Sequence, residues 1–166
     1  SALAGAASFA ALGGALAQQS AADRLNAAIN GANRSQRNRD RDRWRAPREV
    51  ITFLGVQPNA TVVEILPGSV GYWLEILAPY LRDEGLYIAA GRGDDEKRPA
   101  YLADHDKLLA RLAADPATYG KAQVTRFTPS RSEAAPDGVA DYVLTFRNLH
   151  NWIDRNEIEG ALAAFR

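Results

Sequence analysis

Cysteine is absent from the 166 residues, which excludes disulfides, thiolate nucleophiles and cysteine-ligated metals. Histidine is nearly absent: the two present, His105 and His150, are too few for a histidine-rich metal site, so no metal is expected. Methionine is missing as well; no initiator is present, and the chain is expected to be part of a longer translation product. There is no excess of charge of either sign, since 20 Lys and Arg balance 20 Asp and Glu. Nothing global therefore points to nucleic acid or acidic lipid. Also lacking is a confident apolar run of the ~20 residues that a membrane span needs. What is there, 46% hydrophobic over 166 residues, is one domain's worth of chain with a single sizeable core.

Ser1–Ala17 carries no charge and is built mainly from Ala, Gly, Leu and Phe. It ends in Ala15-Leu16-Ala17, the small-x-small pattern that signal peptidase accepts, followed by Gln18-Gln19-Ser20. We read 1–17 as the remnant of an export signal, outside the fold, and expect a periplasmic or otherwise exported protein. Residues 18–46 form an N-terminal arm. Its first part has helical composition over Ala21–Ala32, with Asn30-Gly31 as a stop. From Arg34 to Arg48 the chain then carries seven arginines, diluted by Asp40 and Asp42. A nucleic-acid surface needs aromatics interleaved with the basic residues, and this stretch offers Trp44 alone. It reads as a solvated connecting arm with internal ion pairs, and no nucleic-acid partner is expected.

Residues 47–166 read as an α/β domain. Pro47 suits a first helical turn and Gly55 a left-handed terminator. A β-branched strand, Thr61–Leu66, breaks at Pro67-Gly68-Ser69-Val70-Gly71, and an apolar helix follows from Tyr72 to Leu81. Leu86–Ala90 is a second strand, Gly91–Arg98 a charged loop, and Pro99–Asp115 a helix. Ala122–Phe127 is a third strand, Pro129–Gly138 a loop, Val139–Phe146 a fourth strand, and Glu157–Phe165 begins a helix. This order predicts a Rossmann-like, doubly wound parallel sheet with helices on both faces. Four strands are present, and the chain stops inside a helical pattern, so the sheet is expected to be incomplete. Its unpaired fourth-strand edge is expected to allow self-association.

The unit at the centre is strand, glycine-bearing turn, helix, which sets backbone N–H groups and a positive helix end against a polar or anionic ligand. Glu64 lies near the carboxyl end of its strand, where open α/β sheets bind ligands. His150 offers an imidazole, a side chain suited to general-base work, after the fourth strand. Arg147 suits an anionic substrate group, and Asn148 or Asn151 can orient a nucleophile. Asp141, at the opposite strand end, reads as structural, and His105, between Asp104 and Asp106, reads as solvated.

VVEILPGSVGYWLEILAPYL, LYIAAG, DYVLTFRNLHNW and EGALAAFR together resemble the class I S-adenosylmethionine-dependent methyltransferases, most closely their exported "predicted methyltransferase" branch. The resemblance runs from about Ala46 to Arg166, and DYVLTFRNLHNW is its more specific piece. It implies the methyltransferase fold, truncated at its C-terminal end, and S-adenosylmethionine as cofactor. It also implies that Glu64, Pro67, Gly68, Gly71 and Tyr72 surround that cofactor, with His150, Arg147 and Asn148 on the substrate side. This chain departs from the family at several points. Leu66 and Val70 stand at two of three alternating glycine positions, Ala89-Ala90-Gly91 lacks the ribose-binding acid, and Phe127-Thr128-Pro129-Ser130 lacks an Asp.

The expected function is a methyltransferase acting on an unidentified small-molecule acceptor, aligning donor and nucleophile for in-line transfer. A catalytically degenerate binding protein of the cell envelope is the alternative, which Val70, the missing ribose carboxylate and the export signal favour. A nicotinamide-dependent oxidoreductase ranks last, because G-x-G-x-x-G is absent.

Overall fold

The protein is described from a computed structural model covering residues 20–93, 97, 99–129 and 131–165. The export-signal stretch, Asp94, Asp95 and Ser130 lie outside these residues. Chain order is α1 (Ala21–Ile29), α2 (Gln36–Arg39), α3 (Asp42–Arg45), α4 (Pro47–Leu54), β1 (Thr61–Ile65), α5 (Leu74–Leu81) and β2 (Leu86–Arg92). There follow α6 (Pro99–Ala114), α7 (Pro116–Tyr119), β3 (Gln123–Thr128), β4 (Arg131–Glu133), β5 (Tyr142–Thr145), α8 (Leu149–Asp154) and α9 (Ile158–Ala163).

The sheet order is β4-β3-β2-β1-β5. β1, β2, β3 and β5 run parallel, as the alternation of strand and helix predicts. β4 is an antiparallel edge strand on β3. It corrects the reading of Pro129–Gly138 as loop throughout: three residues are too few for a period to register. Thr125 Oγ1 holds the far end of this hairpin by donating to the Ala134 carbonyl at 2.7 Å. At the opposite side β5 pairs with β1 alone among the described residues, and the expected self-association concerns this edge.

Val62, Val63, Glu64 and Ile65 are all buried, the pattern of a central parallel strand covered on both faces. On one face α1, α4, α5 and α7 pack into a large cluster that includes Ile51, Leu77, Leu81 and Tyr87. On the other, a smaller cluster joins Ile65, Phe127 and Trp152 under α8 and α9. Leu74, Ile76, Leu77 and Leu81 of α5 are each 0% exposed, and each contributes about 2 kcal/mol by its burial. α5 starts two residues later than its apolar pattern, because Tyr72 and Trp73 belong to the preceding turn.

Pro79 sits inside α5 and cannot donate to the carbonyl four residues before it. That carbonyl, Glu75 O, instead accepts from Asn33 Nδ2 of the arm at 3.0 Å. The arm is thereby tied to the central helix. Arg34 is 2% and Asn38 0% exposed, which corrects the reading of this stretch as merely solvated. The expected internal ion pairs are there: Arg34 grips Asp42 through two bonds of 2.7 Å. Among the described residues, no helix is long and apolar enough to cross a membrane.

Candidate functional site

Strand order reverses between β1 and β5, since β2 and β3 lie to one side of β1 and β5 to the other. Crevices at such switch points, at the carboxyl ends of the strands, are where open α/β sheets take ligands. A cleft of about 410 Å³ lies there, reached by Glu64, the turn from Leu66 to Val70, Phe146, Arg147 and His150. Arg37, Arg41 and Arg45 of the arm complete it.

Glu64 is 3% exposed and accepts a 2.6 Å hydrogen bond from Tyr87 Oη. No ion pair reaches it among the described residues. Burial pushes its carboxyl up to about 7, against the pull of the Tyr87 bond and of the Arg45 charge. Burial, the Glu64 charge and that same hydrogen bond hold the Tyr87 phenol well above its ordinary range.

The turn after β1 takes a left-handed conformation three times: Leu66 at φ 55°, Gly68 at φ 67° and Gly71 at φ 52°. Glycine is suited to the last two. A Cβ on Gly68 would meet nothing within 4 Å, so its backbone faces open space and is accessible to a ligand. Leu66 adopts this conformation at a cost of about 1–2 kcal/mol. Val70 is spared it, because the positive φ falls one residue later, on Gly71. The Val70 carbonyl accepts from Asn38 Nδ2 at 3.1 Å and from Arg111 Nη1 at 2.9 Å. The arm and α6 thus pin the turn from two sides.

Of the residues implied for cofactor binding, Glu64, Pro67, Gly68 and Tyr72 line the cleft, while Gly71 does not and lies against Leu74 and Arg111. Tyr72 is already engaged: its hydroxyl donates to Asp42 Oδ1 at 2.6 Å. Arg34, Arg41 and Arg45 stand 5.4, 5.7 and 4.6 Å from its ring centroid. Trp73 stacks on Phe146 at 4.4 Å, and its buried indole N–H has no acceptor among the described residues.

His150 and Arg147 both reach the cleft, with Asn151 beside them. Asn148 does not. Its amide donates to Ile65 O at 3.1 Å and Thr145 Oγ1 at 2.9 Å, so it joins the ends of β1 and β5 instead of orienting a nucleophile. Asp141 accepts from Thr61 N at 2.8 Å at the opposite edge, in keeping with a structural role. His105 is not simply solvated. Its Nδ1 lies 2.9 Å from where a Gly91 Cβ would stand, so the ring occupies the space above the end of β2. A second, smaller cavity of about 50 Å³ opens there, lined by Leu66, Gly68, Gly91, Asp104 and His105 among others.

Sequence reasoning missed Asp104, which borders both cavities and accepts from Ser69 Oγ at 2.7 Å. It also missed the arginines of the arm as cleft residues. Their recurrence every four residues, at 37, 41 and 45, is a signal in the sequence, although the structure divides them between α2, the turn after it and α3. Among the described residues no cluster of three or more potential metal ligands forms. Comparisons with protein-family models, curated proteins and solved structures return no match.

Proposed function

We propose that the switch-point cleft binds S-adenosylmethionine and that the protein is a methyltransferase acting on a small-molecule acceptor. The observation that carries this reading is the open cleft beside Glu64, a buried carboxylate with no ion-pair partner among the described residues. The donor, when bound, supplies a methyl group on a cationic sulfur. A carboxylate that burial holds near neutrality gains most from such a cation, since the incoming charge stabilises its ionised form. The exposed backbone of Gly68 allows close approach without a Cβ. Asp104, on α6 instead of at the end of β2, is the carboxylate available to ribose hydroxyls. His150, at the cleft, is the group available to take the acceptor's proton.

One observation favours a second reading, a binding protein without catalysis. The Tyr72 face that a sulfonium would use is occupied by arginines. Isothermal calorimetry with S-adenosylmethionine and S-adenosylhomocysteine tests the first reading. Binding tighter than ~100 μM, about −5.5 kcal/mol, is expected. Absence of binding for both would leave only the second.

A further inference from the structure

The chain has no net charge, yet its cleft is strongly cationic. Arg37, Arg41 and Arg45 enter it from the arm, and Arg147 from the end of β5. None of the four forms an ion pair among the described residues. Of the nearby acids, Asp42 is taken up by Arg34 and Tyr72 and Asp40 bonds Gln36, while the two that line the cleft, Asp104 and Glu64, accept from the neutral hydroxyls of Ser69 and Tyr87. Arg45 shows the crowding, since burial and then the charge of Arg41 lower its pKa, with Arg147 adding to the effect against the opposing pull of Tyr72 and Glu64. Arg147 is also held at φ 66°, an uncommon conformation for a side-chain-bearing residue and one that clusters at ligand sites.

Four guanidinium groups gathered in an open cleft that also holds two carboxylates, Glu64 and Asp104, leave an excess of positive charge that suits an oxyanion, which they can grip by paired hydrogen bonds. We propose that this cleft takes an oxyanion ligand carrying two or more negative charges, held by Arg37, Arg41, Arg45 and Arg147. Its role as the methyl acceptor rests on the methyltransferase reading. The anion site itself stands on the arginines.

The test is isothermal calorimetry of the full chain with inorganic pyrophosphate and, separately, with citrate. Saturable binding that weakens as salt is raised is expected. The tighter of the two probes distinguishes a phosphate-bearing from a carboxylate-bearing ligand. Arg37→Gln and Arg147→Gln are each expected to weaken binding about tenfold. Both side chains are exposed, so neither change threatens the fold. Arg147→Lys, which keeps the charge and loses the two-pronged donor, falls between. Arg48→Gln, exposed on α4 and away from the cleft, leaves binding unchanged. No binding of either probe at millimolar concentration overturns the proposal, as does equal binding by wild type, Arg37→Gln and Arg147→Gln. S-adenosylhomocysteine titrated into the same samples separates the two claims. Pyrophosphate binding without it removes the donor and keeps the anion site, and the converse removes the anion site alone.

Discussion

Among the described residues two glutamates are buried, Glu64 at 3% and Glu75 at 0% exposure, and their surroundings differ in kind. Glu75, in the first turn of α5, has its own cations: Arg111 bonds its Oε1, and Arg34 Nε stands 3.9 Å from its Oε2. The Ser35 N–H adds a bond of 3.2 Å. Glu64 has a tyrosine and, on its open side, the cleft. One carboxylate joins arm, helix and turn through its Oε1, with Arg34 near its Oε2. The other faces the cleft with no ion pair among the described residues, although the charge of Arg45 acts on it. Burial alone therefore does not mark a functional acid. A buried acid that lacks an ion-pair partner beside open space does so more sharply.

The largest effect that tests this contrast is expected at Glu75. Glu75→Ala leaves Arg34 and Arg111 without their shared anion and is expected to cost about 3–5 kcal/mol, read from urea unfolding at neutral pH. A cost below about 1 kcal/mol would mean the network is decorative. Next is the pH dependence of Glu64. A carboxyl whose folded pKa lies above its unfolded value holds its proton more tightly when folded. Its contribution is therefore complete below the unfolded value, near 4.5, and is lost as pH rises through about 7. The loss is on the order of 3 kcal/mol. Glu64→Gln, which can still accept from Tyr87, is expected to gain on wild type by that amount between those two pH values. Subtracting the two stability curves cancels the other carboxylates, and a flat difference would remove Glu64 from the account.

Much of the fold was legible in the sequence because its signals are local. The β-branched run of β1, the glycines at 68 and 71, the apolar length of α5 and the Pro47 to Gly55 helix each carry their own period or punctuation. Glu64 and the cleft wall after β5 were legible for the same reason: chain order alone sets them at the carboxyl ends of neighbouring strands. The arm was not. Arg34, Asn38 and Arg111 acquire their meaning from partners 41, 32 and 36 residues away, Glu75 and Val70, through contacts that composition cannot reveal. The same holds for Asn148, whose amide serves two strand ends, and for His105, whose ring fills the space that Gly91 leaves. The positive φ on Gly71 instead of Val70 falls in a turn whose Val70 carbonyl is held by such long-range bonds.

The most direct test of the cleft as a sulfonium site is a proton count. Calorimetry of S-adenosylmethionine binding at pH 7, repeated in buffers of different ionisation enthalpy, measures the protons released on binding. With Glu64 titrating at about 7 and an incoming cation favouring its ionised form, release of about half a proton is predicted, and none from Glu64→Gln. Binding with equal proton release by both proteins, or no binding by wild type, would contradict the account.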